Sequence, residues 1–584
     1  MLYAHAGESS ADPVDGESRA SFQCRFAAAL VVLVLARGVV LMCAMPPFEG
    51  WDEYQHVAYV EHLSEGGRTP VVGETPTPQA LLRVAVKSPQ PYSAVHDGLN
   101  SAGGVGYPQF WADRQSGASP TFRDGGPIPL YQSQHGPLAY QVLRPVYAAF
   151  GGLGSIRSSV SGMRLANLLL TAAAVGAAFW CLSGLLRERR SAAWVGVVLA
   201  TYPLFLINGV RVANDALAVF LATLLIWLML TIATKPWNEI RRPELSFLGV
   251  GLLTGLAALA KATNYALVPF VGFCVLALAA RREVPFRRAA ACGLASALGF
   301  LVMTQAEMRF NLAHYGSISS MQEAALNHQR GHGPADLFRT AQQIPWLGWF
   351  VDLWDRRMFF AGGWSFLETH PKAIRWHEKL VFYGILGWVW ALGVGAVLRR
   401  RGETTRGAFA SPIVPAACVM IVLSYTAALA YHVVQSHLAW GRSSTGSWYA
   451  SAAMPWFLTL VVVGLMRWPL PGRLRALPPL AMAAVSITAE AIAVHGRMIP
   501  FYTAFPDWRT SMDRLASLQP GWLGSSTLLA ATAVEVVALG AVFLILVDDV
   551  RKEREESARL TPAKAHIGRE AQRRTGAEST RTAV

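Results

Sequence analysis

The sequence predicts an all-α polytopic membrane protein with about twelve transmembrane helices and two long polar segments on one face. The chain has 584 residues, of which 53% are hydrophobic and only 15% charged, and its mean hydropathy is +0.32. Soluble domains carry about 25% charged residues, so this chain is too apolar to be one. Its apolar residues also occur in runs of about 17 to 25, the length that crosses a bilayer at 1.5 Å per residue.

Twelve such runs predict twelve spans. The first, residues 25–44, lacks a basic segment before it and is expected to remain uncleaved. The run 247–280 is too long for one helix and contains Lys261, so we expect two helices that turn at the sequence KATN. The predicted spans are 25–44, 163–186, 192–210, 215–234, 247–260, 263–280, 289–307, 379–398, 413–435, 449–466, 477–495 and 526–547.

Basic connectors between the spans predict the orientation. They alternate with connectors poorer in Lys and Arg, so the positive-inside rule places them in the cytoplasm. We then expect a plasma-membrane protein with both termini in the cytoplasm, and residues 46–162 and 310–378 on the outer face as caps packed on the membrane surface. We divide the chain into a cytoplasmic tail (1–24), a membrane domain (25–547) and a charged cytoplasmic tail (548–584). The basic connectors begin at Arg187, Lys235, Arg281, Arg399 and Arg467.

Composition argues against two other classes of function. The net charge of +14 does not predict nucleic-acid binding, because Lys and Arg lie in short clusters between apolar runs. The six cysteines lie in or beside apolar runs, which disfavours extracytoplasmic disulfides and cysteine-ligated metals.

The stretch FEGWDEYQHVAYVEHL, directly after the first span, concentrates acidic residues. On a helix, Asp52 would share a face with His56, and Glu49 would share one with Glu53. An Asp-Glu pair here could take a proton from an acceptor hydroxyl, with the His in support. A solvated acidic loop is the simpler interpretation. A divalent cation is not favoured, because no third ligand is evident beside Asp52 and His56.

Several motifs together resemble a known enzyme family. PPFEGWDEYQHVAYVEHLSEGGRTP resembles the first outer loop of GT-C glycosyltransferases that use polyprenyl-phosphate sugars, such as protein O-mannosyltransferases and the lipid A aminoarabinose transferase. QHGPLAYQVLRPVYAAFG and GMRLANLLLTAAAVGAAFW resemble segments at the second span, and GRSSTGSWYASAAMPWFLTLVVVGL resembles a later GRY segment. Gly136 replaces the family's first Pro, and Ser443 replaces the Tyr of GRY.

The resemblance implies a GT-C-like fold and transfer of a sugar, with inversion, from a polyprenyl-phosphate donor to an acceptor hydroxyl at the outer face. The donor is a substrate, so no cofactor is expected, and the acceptor is a glycan, a lipid or a protein. A carboxylate acts as the base, and cations at headgroup depth bind the donor phosphate. The expected catalytic residues are Asp52, Glu53 and His56; the phosphate-binding residues are Lys261, Arg211 and Arg442; His135 and Asp215 have supporting roles.

Other interpretations remain open at this stage. Lys261 could extend to the interface, and Arg211 could simply pair with Asp215. A transporter or flippase of a lipid-linked or polar substrate would also have many spans and buried charges, although its polar groups should lie near the bilayer midplane. A scaffold without activity is a third possibility, but it would not need Asp52 and Glu53.

Overall fold

The structure, a computed structural model, describes residues 13–281, 283–356, 362–400, 408–443, 445–471, 474–505 and 507–552. Residues 1–12 and 553–584 of the two predicted tails lie outside this part. The described chain is helical, with isolated β-bridges and no longer strands.

The helices follow one another in this order: α1 Pro13–Ala44, α2 Glu53–Ser64, α3 Gln79–Ala85, α4 Tyr92–Ala94, α5 Tyr107–Gln115, α6 Leu138–Ala149, α7 Ile156–Leu185, α8 Arg189–Thr201, α9 Pro203–Val210, α10 Asp215–Thr234, α11 Pro243–Ala260, α12 Leu267–Ala279, α13 Phe286–Tyr315, α14 Gln322–Gln329, α15 Pro334–Gln343, α16 Trp346–Trp354, α17 Pro371–Arg400, α18 Ile413–Trp440, α19 Met454–Leu465, α20 Leu477–Ala493, α21 Ile499–Thr503, α22 Trp508–Leu518 and α23 Ser525–Lys552.

The predicted fold class is confirmed. Within the described residues, 11 helices are long and apolar enough to cross a membrane, and the bent pair α8 and α9 brings the number to 12 if it forms one span. Each of the twelve predicted spans overlaps one of these. The predicted turn at KATN is also present, because α11 ends at Ala260 and α12 begins at Leu267.

The third span is broken at a proline. Pro203 opens α9, which leaves α8 at an angle of 58°, because proline lacks the N–H that would continue the helix. Arg37 of α1 donates hydrogen bonds to the carbonyl groups of Ala200 and Thr201, and it is paired with Glu490 at 2.5 Å. The carbonyl groups near the break therefore find partners inside the bundle, as non-helical backbone at membrane depth requires.

Connectors from one end of the bundle contact each other. The Arg187 backbone N–H donates to the Ala408 carbonyl at 3.0 Å, and the Arg281 guanidinium donates to the Lys235 carbonyl at 2.9 Å. We call this the basic end. That these basic connectors lie at one end agrees with their alternation with less basic connectors along the sequence.

The two long polar segments also contact each other, and we call their side of the bundle the polar end. Residues 46–162 contain α2 to α6, and residues 310–378 contain α14 to α16. The Trp364 N–H donates to the Glu49 carbonyl at 2.7 Å, and the Ser320 hydroxyl donates to the Gln134 carbonyl at 2.5 Å. One hydrophobic core runs from α1 into α2 and α5, so the first polar segment packs on the helix bundle.

Candidate functional site

The chain leaves α1 in a tight turn that ends at Asp52. Phe48 and Asp52 both have left-handed backbone conformations, with φ of 71° and 58°, a region that Asp tolerates better than most residues. The Asp52 side chain does not cap α2. It accepts a hydrogen bond from the Tyr131 hydroxyl at 2.8 Å and is partly exposed. Asp52 is therefore less enclosed than Glu49 and Glu53, which are fully buried.

The helical spacing predicted for this stretch is wrong, because Glu49 and Asp52 precede α2, which begins at Glu53. His56 lies inside the helix, with its Nδ1 atom 2.9 Å from the Tyr140 hydroxyl. The acidic residues are therefore arranged by the turn rather than by two helix faces.

Glu53 is fully buried in an ion pair. The Arg164 guanidinium donates to both of its carboxylate oxygens, at 2.8 and 2.6 Å. The Val212 N–H donates to the same carboxylate at 2.8 Å. Glu53 thus ties the start of α2 to α7 and to the segment before α10. This arrangement suits a positioning residue next to Asp52 better than a group that meets a substrate.

Two cations share one carboxylate beside this turn. The Asp215 carboxylate is 2.6 Å from the Arg211 guanidinium and accepts a hydrogen bond from the Lys261 ammonium. Lys261 is only 4% exposed, so it does not extend to the interface. Arg211 also donates to the carbonyl of Trp51, the residue before Asp52. The trio therefore carries one net positive charge close to Asp52.

Aromatic rings enclose the cluster on one side. The Tyr449 ring centroid lies 4.7 Å from the Lys261 ammonium, which favours the charged amine. Trp448 stacks on Trp51 with the ring centroids 4.8 Å apart. Trp448 and Tyr449 are thereby fixed against both Lys261 and the turn that carries Asp52.

Two neutral histidines complete the cluster. Burial lowers the pKa of His135 to about 3, with a further contribution from Lys261, and burial also lowers the pKa of His56 well below its usual value. The two rings are nearly parallel, with centroids 6.3 Å apart. His135 Nδ1 is buried and has no hydrogen-bond partner among the described residues. Both rings are therefore suited to hydrogen bonding rather than to supplying a positive charge.

Gly136 stands where the GT-C motif has its first Pro, and neighbouring atoms lie too close to it for a side chain. A Cβ atom at this position would lie 2.5 Å from a carboxylate oxygen of Glu307 and 2.8 Å from the Leu259 carbonyl oxygen. Any side chain would collide with these atoms, so only glycine fits next to His135.

Arg442 lies apart from the cluster. Gly441 ends α18 with φ of 70°, and Arg442 beyond it is exposed. Among the described residues, the ion pairs of the Asp215 carboxylate are with Arg211 and Lys261 and not with Arg442. As for metal binding, the residues that the structure describes contain no group of three or more His, Cys, Asp or Glu side chains that could hold a metal ion.

Glu49 belongs to the site region but was not predicted as a site residue. Its carboxylate is fully buried and accepts hydrogen bonds from the Tyr107 hydroxyl at 2.7 Å and from the Ser365 backbone and hydroxyl at 2.9 and 3.0 Å. It therefore joins both polar segments to the turn before Asp52. Burial raises the pKa of Glu49 to about 8 in spite of these donors.

We expect Glu49→Gln to flatten the dependence of stability on pH. The pKa of Glu49 is about 8 in the folded protein against an ordinary value of 4.5, so between these values the folded state keeps a proton that the unfolded state loses. Wild-type stability should then be full below the ordinary value and fall as the pH rises through the folded pKa. Thermal unfolding in detergent across this range measures the slope. Exposed Glu74→Gln is the control, and an unchanged slope in Glu49→Gln would contradict the prediction.

The fold and site define an all-α, multi-pass membrane protein with a buried acid–base cluster at the polar end of its helix bundle. The profile of the family described as "Predicted membrane protein (DUF2142)" matches residues 35–435, more than half of the chain. The chain belongs to this family. No curated protein matches it.

Two solved structures are similar to this chain. The apo oligosaccharyltransferase of Archaeoglobus fulgidus is 12% identical over 83% of this chain and 57% of its own, with a TM-score of 0.42. ArnT from Cupriavidus metallidurans bound to undecaprenyl phosphate is 14% identical over 89% of this chain and 75% of its own, with a TM-score of 0.41. The chain thus spans little more than half the length of the oligosaccharyltransferase.

Proposed function

We propose that this protein is a membrane glycosyltransferase that moves a sugar from a polyprenyl-phosphate donor to an acceptor hydroxyl at the outer face of the plasma membrane. The main support is the arrangement of Asp52, a partly exposed carboxylate, beside Lys261 and Arg211, two cations that share one counter-ion.

The proposed reaction is one displacement at the anomeric carbon. The acceptor oxygen forms a bond to this carbon while the bond from the carbon to the donor phosphate breaks, and the electron pair stays on the polyprenyl phosphate. Asp52 takes the acceptor proton. Lys261 and Arg211 stabilise the charge that develops on the leaving phosphate. Such a displacement inverts the anomeric centre, and it needs no cofactor or metal.

The remaining residues act through these three. Glu53 holds the turn that carries Asp52, and Asp215 orients the two cations. His56 and His135 are placed to hydrogen-bond a sugar or acceptor group. Arg442, exposed beyond α18, is left out of the proposed phosphate site.

Lys261→Gln tests the phosphate site. The change removes one cation but leaves Arg211 paired with Asp215, so the fold should survive. A hydrogen bond to a charged group is worth about 1.5–3 kcal/mol, and we expect undecaprenyl phosphate to bind about tenfold more weakly or worse. Calorimetry on the purified protein measures the affinity, and Arg442→Gln is the matched control. Equal affinities in wild type and Lys261→Gln would contradict the site.

Wild-type protein in lipid nanodiscs tests the function itself. With polyprenyl-phosphate sugars as donors, we expect a new glycosidic bond and released polyprenyl phosphate. A transporter or flippase would instead move the labelled lipid across the bilayer of a proteoliposome without forming a bond, and that result would overturn the proposal. Loss of a sugar from the cell envelope, with accumulation of its donor, in cells lacking the protein would identify both substrates by mass spectrometry.

The proposed orientation has its own test. Asp124 in the first polar segment and Glu239 in a basic connector are both exposed. A cysteine at position 124 should react with an impermeant reagent added outside the cell, and a cysteine at position 239 should not, since the positive-inside rule places basic connectors in the cytoplasm. The reverse pattern would invert the topology and remove both termini from the cytoplasm.

A further inference from the structure

Three arginines from different helices lie close together at the polar end, outside the proposed active site. Arg114 is in the last turn of α5, Arg157 is in the first turn of α7, and Arg514 lies in α22. The guanidinium groups of Arg114 and Arg157 donate to the hydroxyl and the carbonyl group of Ser517, at 3.1 and 2.6 Å. We call these three side chains the arginine cluster.

An aromatic ring brings Arg514 close to Arg114. The central carbon of the Arg514 guanidinium lies 4.9 Å from the centroid of Trp111, and that of Arg114 lies 5.5 Å from the same ring. Two groups on one ring are at most about 10 Å apart, a distance over which charges still interact at moderate ionic strength. The positive charges of the cluster therefore repel one another.

The charge of the arginine cluster is not compensated. Among the described residues, none of its three guanidinium groups forms an ion pair. Asp113 and Asp513 are neighbours in sequence, but Asp113 accepts a hydrogen bond from Gln109 and Asp513 is exposed. The side-chain charge that acts on Arg157 is that of Arg114, a second cation.

Two of the arginines are also partly removed from water. Arg157 and Arg514 are half-buried, and their described hydrogen bonds go to the carbonyl groups of Ser517 and Thr503. Such bonds satisfy donors but supply no negative charge, and a desolvated cation is costly without a counter-ion. The planar fork of N–H donors on a guanidinium matches the oxygens of a phosphate. A phosphate would therefore compensate the charge and use the remaining donors.

The arginine cluster lies where membrane spans end. Arg157 opens α7, and Ser517 lies shortly before α23, which begins at Ser525; both helices are long and apolar enough to cross a membrane. Trp522 lies between Ser517 and α23, is 41% exposed and packs against Phe150. Exposed tryptophans are typical of the headgroup region, whereas the positive-inside rule explains basic residues only at the opposite end. We therefore place the cluster at the depth of the lipid headgroups.

The helix that carries Arg514 also contacts the turn that leads to Asp52. Gln519 directly follows α22. Its side-chain amide donates hydrogen bonds of 3.1, 3.2 and 3.0 Å to carbonyl groups at the end of α1, those of Met42, Cys43 and Met45. A ligand that holds α5, α7 and α22 together would thereby stabilise the end of α1 as well.

We propose that the arginine cluster binds the phosphate of an anionic phospholipid in the leaflet that the polar end faces. Basic pockets between membrane helices bind anionic headgroups by the same electrostatics. A soluble phosphate shares this chemistry, but the depth of the cluster and the exposed Trp522 favour the lipid. The site is separate from Lys261 and Arg211 and does not depend on the proposed function.

The test titrates the full chain, purified in a neutral detergent, with phosphatidylglycerol or with zwitterionic phosphatidylcholine. Native mass spectrometry measures the bound lipid, and the wild type should retain phosphatidylglycerol in preference. Arg114→Gln and Arg157→Gln should each weaken its binding by about fivefold or more, the effect of one basic residue at an anionic headgroup. Arg157→Lys, which keeps the charge, should lose less than Arg157→Gln. Arg114 is exposed, so Arg114→Gln should fold even where a change at Arg157 disturbs α7.

Arg339→Gln is the matched control. Its guanidinium is exposed on the second polar segment but is paired with the Asp336 carboxylate at 2.8 Å, so its loss should leave lipid binding unchanged. Equal binding of the two lipids by the wild type would overturn the site. Equal binding of phosphatidylglycerol by the wild type and Arg114→Gln would overturn it too.

A competition measurement separates the two sources of phosphate. Inorganic phosphate and glycerol phosphate, each added at the concentration of the lipid, should not displace phosphatidylglycerol from the wild type. Displacement by either would overturn the assignment to a lipid. Neither measurement uses a polyprenyl donor or a sugar acceptor, so a failure here is distinct from a failure of the proposed sugar transfer.

Discussion

Asp52→Asn is expected to lower the turnover of sugar transfer by about two to four orders of magnitude, the usual contribution of a general base. Asn keeps the size of the side chain, can still accept the hydrogen bond from Tyr131, and tolerates the left-handed backbone at this position. Only the ability to take a proton is lost. Donor affinity should change little, because the proposed function assigns the donor phosphate to Lys261 and Arg211 rather than to Asp52. Initial rates with a polyprenyl-phosphate sugar, together with calorimetry of undecaprenyl phosphate, measure the two effects separately.

Two companion variants make this result specific. Asp124→Asn removes an exposed carboxylate of the same polar segment and should leave turnover unchanged. Glu53→Gln should cost less turnover than Asp52→Asn if Glu53 only positions the turn, and more if the two roles are exchanged. Full activity in Asp52→Asn, in Glu53→Gln and in the double variant would end the assignment of this stretch and make a residue of the second polar segment the next candidate.

The transmembrane spans were predictable because their signal is local. Crossing a bilayer needs an unbroken apolar run, and each run can be counted without knowing its neighbours. The turn at KATN was predictable for the same reason, since one buried lysine inside a double-length run is costly. The break between α8 and α9 also had a local signal, Pro203. A count of apolar residues alone does not detect this break, because proline does not interrupt the apolar run.

The partners inside the site were not predictable in the same way. Glu53 and Arg164 are 111 residues apart in the chain, and the donors to Glu49 come from positions 107 and 365. Single-sequence patterns carry no information about such pairings. Arg164 lay inside a recognised motif at the start of the second span, and a cation at a span end should prompt a search for a carboxylate partner.

Arg442 shows a different limit, because the end of a span can be counted from the sequence but the direction of the chain beyond that end cannot. The end of α18 lies at the polar end, as do Arg211 and Lys261. The left-handed turn at Gly441 then directs the chain to the surface. The position at which a helix ends can be estimated by counting residues. The direction that the chain takes beyond α18 depends on the backbone conformation of Gly441.

Arg164→Met is expected to lower the free energy of unfolding by about 3–5 kcal/mol, the range found when one partner of a buried ion pair is removed. Met replaces the length of the side chain but leaves the Glu53 carboxylate buried without its counter-ion. It also removes the donors to the carbonyl groups of Met45 and Pro46, which Arg164 contacts at 2.5 and 2.7 Å. The turn between α1 and α2 should therefore loosen, and Asp52 with it.

Adding Glu53→Gln to Arg164→Met should restore part of this stability. The amide carries no charge, and its oxygen can still accept from the Val212 N–H, so the double variant lacks the uncompensated carboxylate of the single one. Arg339→Met, which breaks an ion pair with a 72% exposed guanidinium, is the control and should leave the midpoint unchanged. Chemical unfolding in detergent measures all three variants. A double variant no more stable than Arg164→Met would mean that the uncompensated carboxylate is not the cause of the loss, and that the contacts of Arg164 with the Met45 and Pro46 carbonyl groups hold the turn in place.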